Sequence, residues 1–171
     1  GYHRLETIFL PLMEPADTIR FSTTDESGIH ITCTDPSVPT HEKNLVYQAA
    51  SRFAENLDEE PHWHFEISKQ IPVAGGMAGG SANAAGALRL LQDIYPSVSW
   101  NSIRQIAVSL GADVPFMCDP KPSFGEGIGE RLTPVKMADG LGLVVVAPDF
   151  PTRAKWAFEH LNWSKRNESQ D

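Results

Sequence analysis

The stretch Ile71-Pro72-Val73-Ala74-Gly75-Gly76-Met77-Ala78-Gly79-Gly80-Ser81-Ala82-Asn83-Ala84-Ala85 constrains this chain more than any other. Four of the six positions from 75 to 80 are glycine. A regular helix or strand does not hold that density, since each Gly costs about 1 kcal/mol against Ala inside a helix. Before it, Trp63, Phe65 and Ile67 alternate with His62, His64 and Glu66, a period of two that predicts a strand. After it, Ala84 to Ile94 predicts a helix, ended by Pro96. A strand, a glycine loop and a helix in that order gather successive N–H groups and the positive end of the helix in one place, which suits phosphate. Ser81 is placed to offer its hydroxyl to a phosphate or its magnesium. The loop lacks the Lys-Ser/Thr ending of a Walker loop, and no parallel βαβ unit with a downstream acid marks a dinucleotide fingerprint. An ordinary flexible loop with a tight turn is the alternative reading.

Around this loop the chain divides by hydrophobic period. Ile8 to Leu12 and Thr18 to Ser22 predict two strands, separated by the turn Pro15-Ala16-Asp17, and Gly28 to Cys33 predicts a third. Asp35-Pro36 and Pro39 mark a loop. Leu45, Tyr47-Gln48-Ala49, Phe53 and Leu57 place one apolar face on a helix over 44–57. Asn101 to Leu110 predicts another helix with Gly111 as its C-cap. Leu141 to Ala147 predicts a continuous apolar strand buried on both faces, Thr152 to Leu161 a helix, and the polar residues from Ser164 a frayed tail. The expected fold is α+β, an antiparallel or mixed sheet covered by helices.

Charge narrows the partners. The 171 residues carry a formal net charge of −8, which repels a phosphate backbone and argues against a general nucleic-acid binder. An anionic ligand must then be met by local dipoles and a few cations. Cys33 and Cys118 are far apart, so a disulfide or zinc pair is not expected and a reducing compartment is. The apolar stretch Leu141 to Pro148 is too short to span a bilayer. His62 and His64 share one side of a strand but lack a third ligand nearby, so surface histidines, not a metal site, are expected.

A second constellation is Gly111-Ala112-Asp113-Val114-Pro115-Phe116. Asp113 can be a buried base, since phosphoryl transfer uses a carboxylate near the attacking hydroxyl. Taken alone it also fits a turn or helix cap. Together with the glycine loop, this motif resembles the GHMP superfamily of small-molecule kinases, which includes galactokinase, homoserine kinase and mevalonate kinase. Gly1-Tyr2-His3-Arg4-Leu5-Glu6-Thr7, Lys43-Asn44-Leu45, Gly125 to Glu130 and Leu132-Thr133-Pro134 narrow the likeness to the family of 4-diphosphocytidyl-2-C-methyl-D-erythritol kinases, from Gly1 to about His160.

The resemblance implies an N-terminal domain like the second domain of ribosomal protein S5 over 1–136, lacking its first strand, and the start of a C-terminal domain over 137–171. It implies ATP and Mg²⁺, with phosphorylation of the 2-hydroxyl of the cytidine diphosphate-linked methylerythritol substrate in non-mevalonate isoprenoid synthesis. Asp113 would be the base. Pro72, Ala74, Gly75, Gly76, Met77, Ala78, Gly79, Gly80, Ser81 and Asn83 would hold the phosphates, with Asn44 and Lys69 near the adenosine. Tyr2, His3, Phe9, Thr152 and Trp156 would line the cytidine side. No membrane or nucleic acid is implied, and the compartment would be a bacterial cytoplasm or a plastid stroma. Each side chain keeps a plainer reading: Tyr2, Phe9 and Trp156 as packing, His3 as a surface residue, Asn44 as an N-cap, Lys69 as a strand-end charge. In the family a first-strand lysine pairs with the Asp113 position, and no residue here visibly replaces it. A kinase for a smaller alcohol, an inactive truncated relative, or an S5-like RNA-contacting module are the rival functions, the last expected to show a basic face.

Overall fold

The computed structural model describes residues 5–58, 60–137 and 142–146, together with Trp156 and His160. Alternation sets the strands. β2 (Thr18–Thr23), β3 (Gly28–Cys33) and β4 (His62–Ser68) form one sheet in the order β2-β4-β3, with β2 antiparallel and β3 parallel to β4. Period two turns Trp63, Phe65 and Ile67 to one face, where all three are buried. His62, His64 and Glu66 take the other face, where Thr32 Oγ1 lies 3.0 Å from His64 Nε2 and Arg20 pairs with Glu66.

Helices cover the apolar face. α1 (Leu45–Ala54) buries Val46, Ala49, Ala50 and Phe53, and α2 (Gly79–Ile94) buries Ala84, Ala85, Ala87, Leu88 and Leu91. The alanines are small, which lets these two helices pack closely on each other. α3 (Trp100–Leu110) closes the layer with Ile103, Ile106 and Ala107, and Ser99 caps it by accepting from the Ser102 N–H at 3.2 Å. Gly111 ends α3 as expected, but in an extended backbone, not the left-handed one of a glycine cap. Phe53 meets Trp63 edge-on and both rings pack tilted against Tyr95, and the Trp63 indole donates to the Tyr95 hydroxyl at 3.1 Å, so the buried ring leaves no orphan donor. Each large side chain removed from water here contributes about 1.5–3 kcal/mol.

The other strands form a separate antiparallel sheet, β1 (Leu5–Phe9), β5 (Ser123–Gly127) and β6 (Arg131–Pro134), in the order β1-β5-β6. The first strand thus lies a few residues earlier than the apolar run Ile8 to Leu12 suggested. The β5–β6 turn needs Gly127 and Gly129, at φ of 75° and 111°. Phe9 lies across Gly125, where an added Cβ would meet its ring, and packs on Phe116 with centroids 5.2 Å apart. Phe116 belongs to α4 (Val114–Cys118), a short helix with Asp113 at its N-cap position, so of the turn and the helix cap that Asp113 fits, the structure has the cap position. Pro115 in its first turn starts the helix instead of breaking it.

One expectation is overturned. Residues 142–146 form no strand, and Leu143, Val144, Val145 and Val146 are exposed, Val144 at 90%. No described strand pairs with them, so their apolar character finds no sheet to bury it. Among the described residues no helix is long and apolar enough to cross a membrane. The expected helix over 152–161 lies outside the described residues except for Trp156 and His160.

Candidate functional site

The glycine loop joins β4 to α2 and forms one wall of a cleft of about 380 Å³. Its path needs left-handed backbone at three places: Ala74 (φ 59°), Gly76 (φ 72°) and Ala78 (φ 53°). For the two alanines this costs roughly 1–2 kcal/mol each, a strain that the surrounding contacts must hold in place. Ala78 is the N-cap of α2 and offers no side-chain acceptor, and the first helical turn holds no acidic residue. The opening N–H groups of α2 are therefore left without a side-chain cap, with the positive end of a 16-residue helix behind them.

The opposite wall is Ser37, Val38, Pro39, Lys43, Asn44 and Leu45, with Lys69 at the loop's start. All the residues expected to hold a nucleotide, namely Asn44, Lys69, Pro72, Ala74 to Ser81 and Asn83, line this one cleft. Two lysines and no carboxylate face it among the described residues. On a chain of net charge −8 the positive potential here comes from Lys43 and the start of α2, since the Lys69 ammonium is already paired with the buried Asp17 carboxylate. A second cleft, meeting the first at Asn83, carries Asp17, Arg89 and Asp93 and is less suited to phosphate.

Two of these side chains already have structural work. Asn44 caps α1: its Oδ1 accepts from the Val46 N–H at 2.8 Å and its Nδ2 donates to the Pro39 carbonyl at 2.6 Å. The plainer reading of Asn44 thus holds, and the same bonds fix the cleft's wall. Lys69 is paired with the carboxylate of Asp17, and both side chains are buried. Asp17 also accepts from the N–H groups of Gln70 at 2.7 Å and Ile71 at 2.8 Å. Burial pushes its pKa up, but the hydrogen bonds from Lys69, Gln70 and Ile71 and the charge of Lys69 outweigh it, leaving it below the ordinary value.

Asp113 does not line the cleft. It stands at the start of α4, half-buried, with its side chain making no capping hydrogen bond. Its neighbour Ala112 lies 3.8 Å from where a Cβ on Gly129 would stand, so Asp113 belongs to the corner between α4 and the β5–β6 turn. Phe9 reaches this corner too, its Cζ 3.4 Å from where a Cβ on Gly129 would stand and its ring packed on Phe116. α4 packs on α2, which links this corner to the cleft. Trp156 is more than half exposed and stacks on His160 at 4.4 Å. Tyr2, His3 and Thr152 lie outside the described residues. Among the described residues no three His, Cys, Asp or Glu side chains are grouped to hold a metal ion.

The model of the GHMP kinases N terminal domain matches residues 44–119. These residues form a GHMP kinase N-terminal domain. The matched span runs from the cap of α1 through the glycine loop to the end of α4, so it contains both the cleft and Asp113. The chain is 36% identical over 166 residues to the 4-diphosphocytidyl-2-C-methyl-D-erythritol kinase of Clostridium botulinum strain Kyoto, covering 96% of this chain and 59% of that one. It superposes on the crystal structure of a 4-(cytidine 5'-diphospho)-2C-methyl-D-erythritol kinase with a TM-score of 0.68 and 35% identity, covering 81% of this chain and 48% of that one. The homoserine kinase of Cytophaga hutchinsonii shares the fold, with a TM-score of 0.67 at 19% identity over 90% of this chain and 55% of its own. The chain spans about three fifths of the length of the curated relatives it matches.

Two residues at or behind this cleft are not marked by any local sequence pattern. Asp17 sits in a turn, 52 positions from its partner Lys69, and no local pattern announces it. Lys43 was noted beside Asn44 but not as part of the cleft. Its position just before a predicted helix cap, across a Pro-rich loop from the glycines, was the available signal.

Proposed function

We propose that this chain binds ATP in the glycine-loop cleft and transfers its γ-phosphoryl group to the 2-hydroxyl of 4-diphosphocytidyl-2-C-methyl-D-erythritol, a step of non-mevalonate isoprenoid synthesis. The carrying observation is the carboxylate-free cleft in which the glycine loop and the uncapped start of α2 face Lys43 and Lys69. The N–H groups from Gly75 to Ser81 hold the phosphates, and Asn83 lies beside them. Val38, Pro39, Leu45 and Pro72 offer apolar surface to the adenosine, near Asn44. Ser81 would offer its hydroxyl to a magnesium ion bound with the phosphates, which would supply charge neutralisation at the transferring group.

Asp113 takes the proton of the attacking hydroxyl, and the step is mostly positioning and electrostatics. The acceptor then lies on the α4 side, with Phe9 beneath and Tyr2, His3, Thr152 and Trp156 as its cytidine contacts. Residues 1–136 act as the nucleotide-binding unit, with 137–171 outside it. The work needs neither nucleic acid nor membrane and belongs to a bacterial cytoplasm or plastid stroma.

The test is ADP release with ATP, Mg²⁺ and the cytidyl substrate, against Asp113→Asn. The reading predicts substrate-dependent turnover that falls by about 10²-fold or more in the variant. Turnover equal in both proteins removes Asp113 as the base, and turnover with other alcohols but not this one removes the substrate.

A further inference from the structure

Asp17 does more than end a turn. Its carboxylate is 2% exposed and commits both oxygens to the segment that leads into the glycine loop. Oδ1 accepts from two consecutive backbone N–H groups, Gln70 and Ile71, and Oδ2 takes the ammonium of Lys69. The Lys69 N–H is itself held by Thr34 Oγ1 at 2.9 Å. Residues 69–71 are thus tied to the β1–β2 turn and to the end of β3.

The far end of Lys69 matters most. A Cβ on Gly79 would lie 3.2 Å from its Nζ and 3.0 Å from Ile71 Cγ2. The ammonium therefore stands at the first residue of α2, beside the uncapped N–H groups. A free lysine swings on a flexible four-carbon stem, and a buried ammonium without a counter-charge is strongly disfavoured. One carboxylate answers both problems.

We propose that Asp17 is a positioning residue for the nucleotide's phosphates: it holds the Lys69 ammonium at the start of α2 and fixes the loop's inbound end. This rests on the ATP reading above. Asp17→Asn separates the two roles, because the amide oxygen still accepts from Gln70 and Ile71 while the charge opposite Lys69 is gone.

The experiment titrates N-methylanthraniloyl-ATP with Mg²⁺ into the wild-type chain, Asp17→Asn, Lys69→Gln and the double variant, with folding followed by circular dichroism. Each single variant is expected to bind about tenfold more weakly or worse, as for a charged hydrogen bond lost. The double variant is expected to be no weaker than the worse single one, because the two act as a unit. A lowered melting temperature with unchanged affinity in Asp17→Asn would make Asp17 merely structural and overturn the proposal, as would additive losses. If Asp17→Asn does not fold, the ¹⁵N signal of the wild-type Lys69 ammonium decides: it must shift on adding Mg·ATP, and an unmoved signal overturns the proposal. A wild-type chain without saturable binding removes the ATP reading itself, which is distinguishable from binding that ignores Asp17.

Discussion

Adjacent glycines at the start of α2 should respond to alanine with opposite signs. At Gly79 the new Cβ would meet Ile71 Cγ2 at 3.0 Å, Lys69 Nζ at 3.2 Å and Ile71 Cβ at 3.3 Å. Carbon contacts settle at about 3.5–4.0 Å, so roughly half an ångström must be found. The neighbours do not yield readily, because Asp17 holds both the Ile71 N–H and the Lys69 ammonium. Overpacking of this kind costs about 1–3 kcal/mol, against a helix-propensity gain of at most about 1 kcal/mol. Gly79→Ala is therefore expected to destabilise by about 1 kcal/mol. At Gly80 the only atom among the described residues within 4 Å of an added Cβ is Leu45 Cδ1 at 3.6 Å, an ordinary contact. Gly80→Ala keeps the propensity gain and should stabilise by about 0.5–1 kcal/mol. For a chain of this size each kcal/mol moves the melting point by about 2–4 °C. The two variants should then differ by about 3–8 °C in calorimetry without nucleotide, and in urea midpoint at an unchanged slope. Equal shifts of the same sign would refute the close packing of Gly79 against the loop's start.

Further expectations follow from single contacts. Asn44→Ala removes the cap on Val46 and the bond to Pro39, and should cost about 1–2 kcal/mol in urea denaturation, while Asn44→Asp retains the cap and costs less. Gly125→Ala drives a methyl into the Phe9 ring, and should lower stability and move the near-ultraviolet signal of the Phe9–Phe116 pair. The depressed pKa of Asp17 means that the unfolded chain binds the proton more tightly. Its contribution is complete above the unfolded value of about 3.9 and is lost as pH falls through the lower folded value. Stability measured between about pH 5 and about pH 2, the acid limb of a carboxylate, should fall less steeply in Asp17→Asn than in the wild type. Glu130, held low by its own N–H and that of Ile128, adds to the same limb and remains in the variant.

What could be seen in the sequence was local. The alternation of Trp63, Phe65 and Ile67, the apolar face of α1 and the glycine density all lie within one element, and each predicted its element to within a few residues. The glycine-loop wall of the cleft was legible because its residues are adjacent in the chain, whereas Asn44 and Lys69 came only from the family resemblance. Pairing was not legible: β1 meets β5 across more than a hundred residues, and nothing in either strand names the other. The division into two sheets was hidden for that reason. α4 was missed because its five residues are too few to show a helical period and Pro115 reads as punctuation. Asp17 looked like a turn residue because its meaning lies in Lys69, on another strand's end. Over residues 142–146 the apolar run misled in the other direction, since apolar character does not make a strand without a partner to pair with.

The most direct measurement is a titration of the ¹⁵N-labelled chain with Mg·ATP, followed by its backbone amide spectrum. The account predicts saturable shifts concentrated in residues 37–45 and 69–83, led by the N–H groups of Gly79, Gly80 and Ser81. Shifts centred instead on Leu12, Arg89 and Asp93 around the second cleft, or no saturable shift from a folded chain, would contradict it.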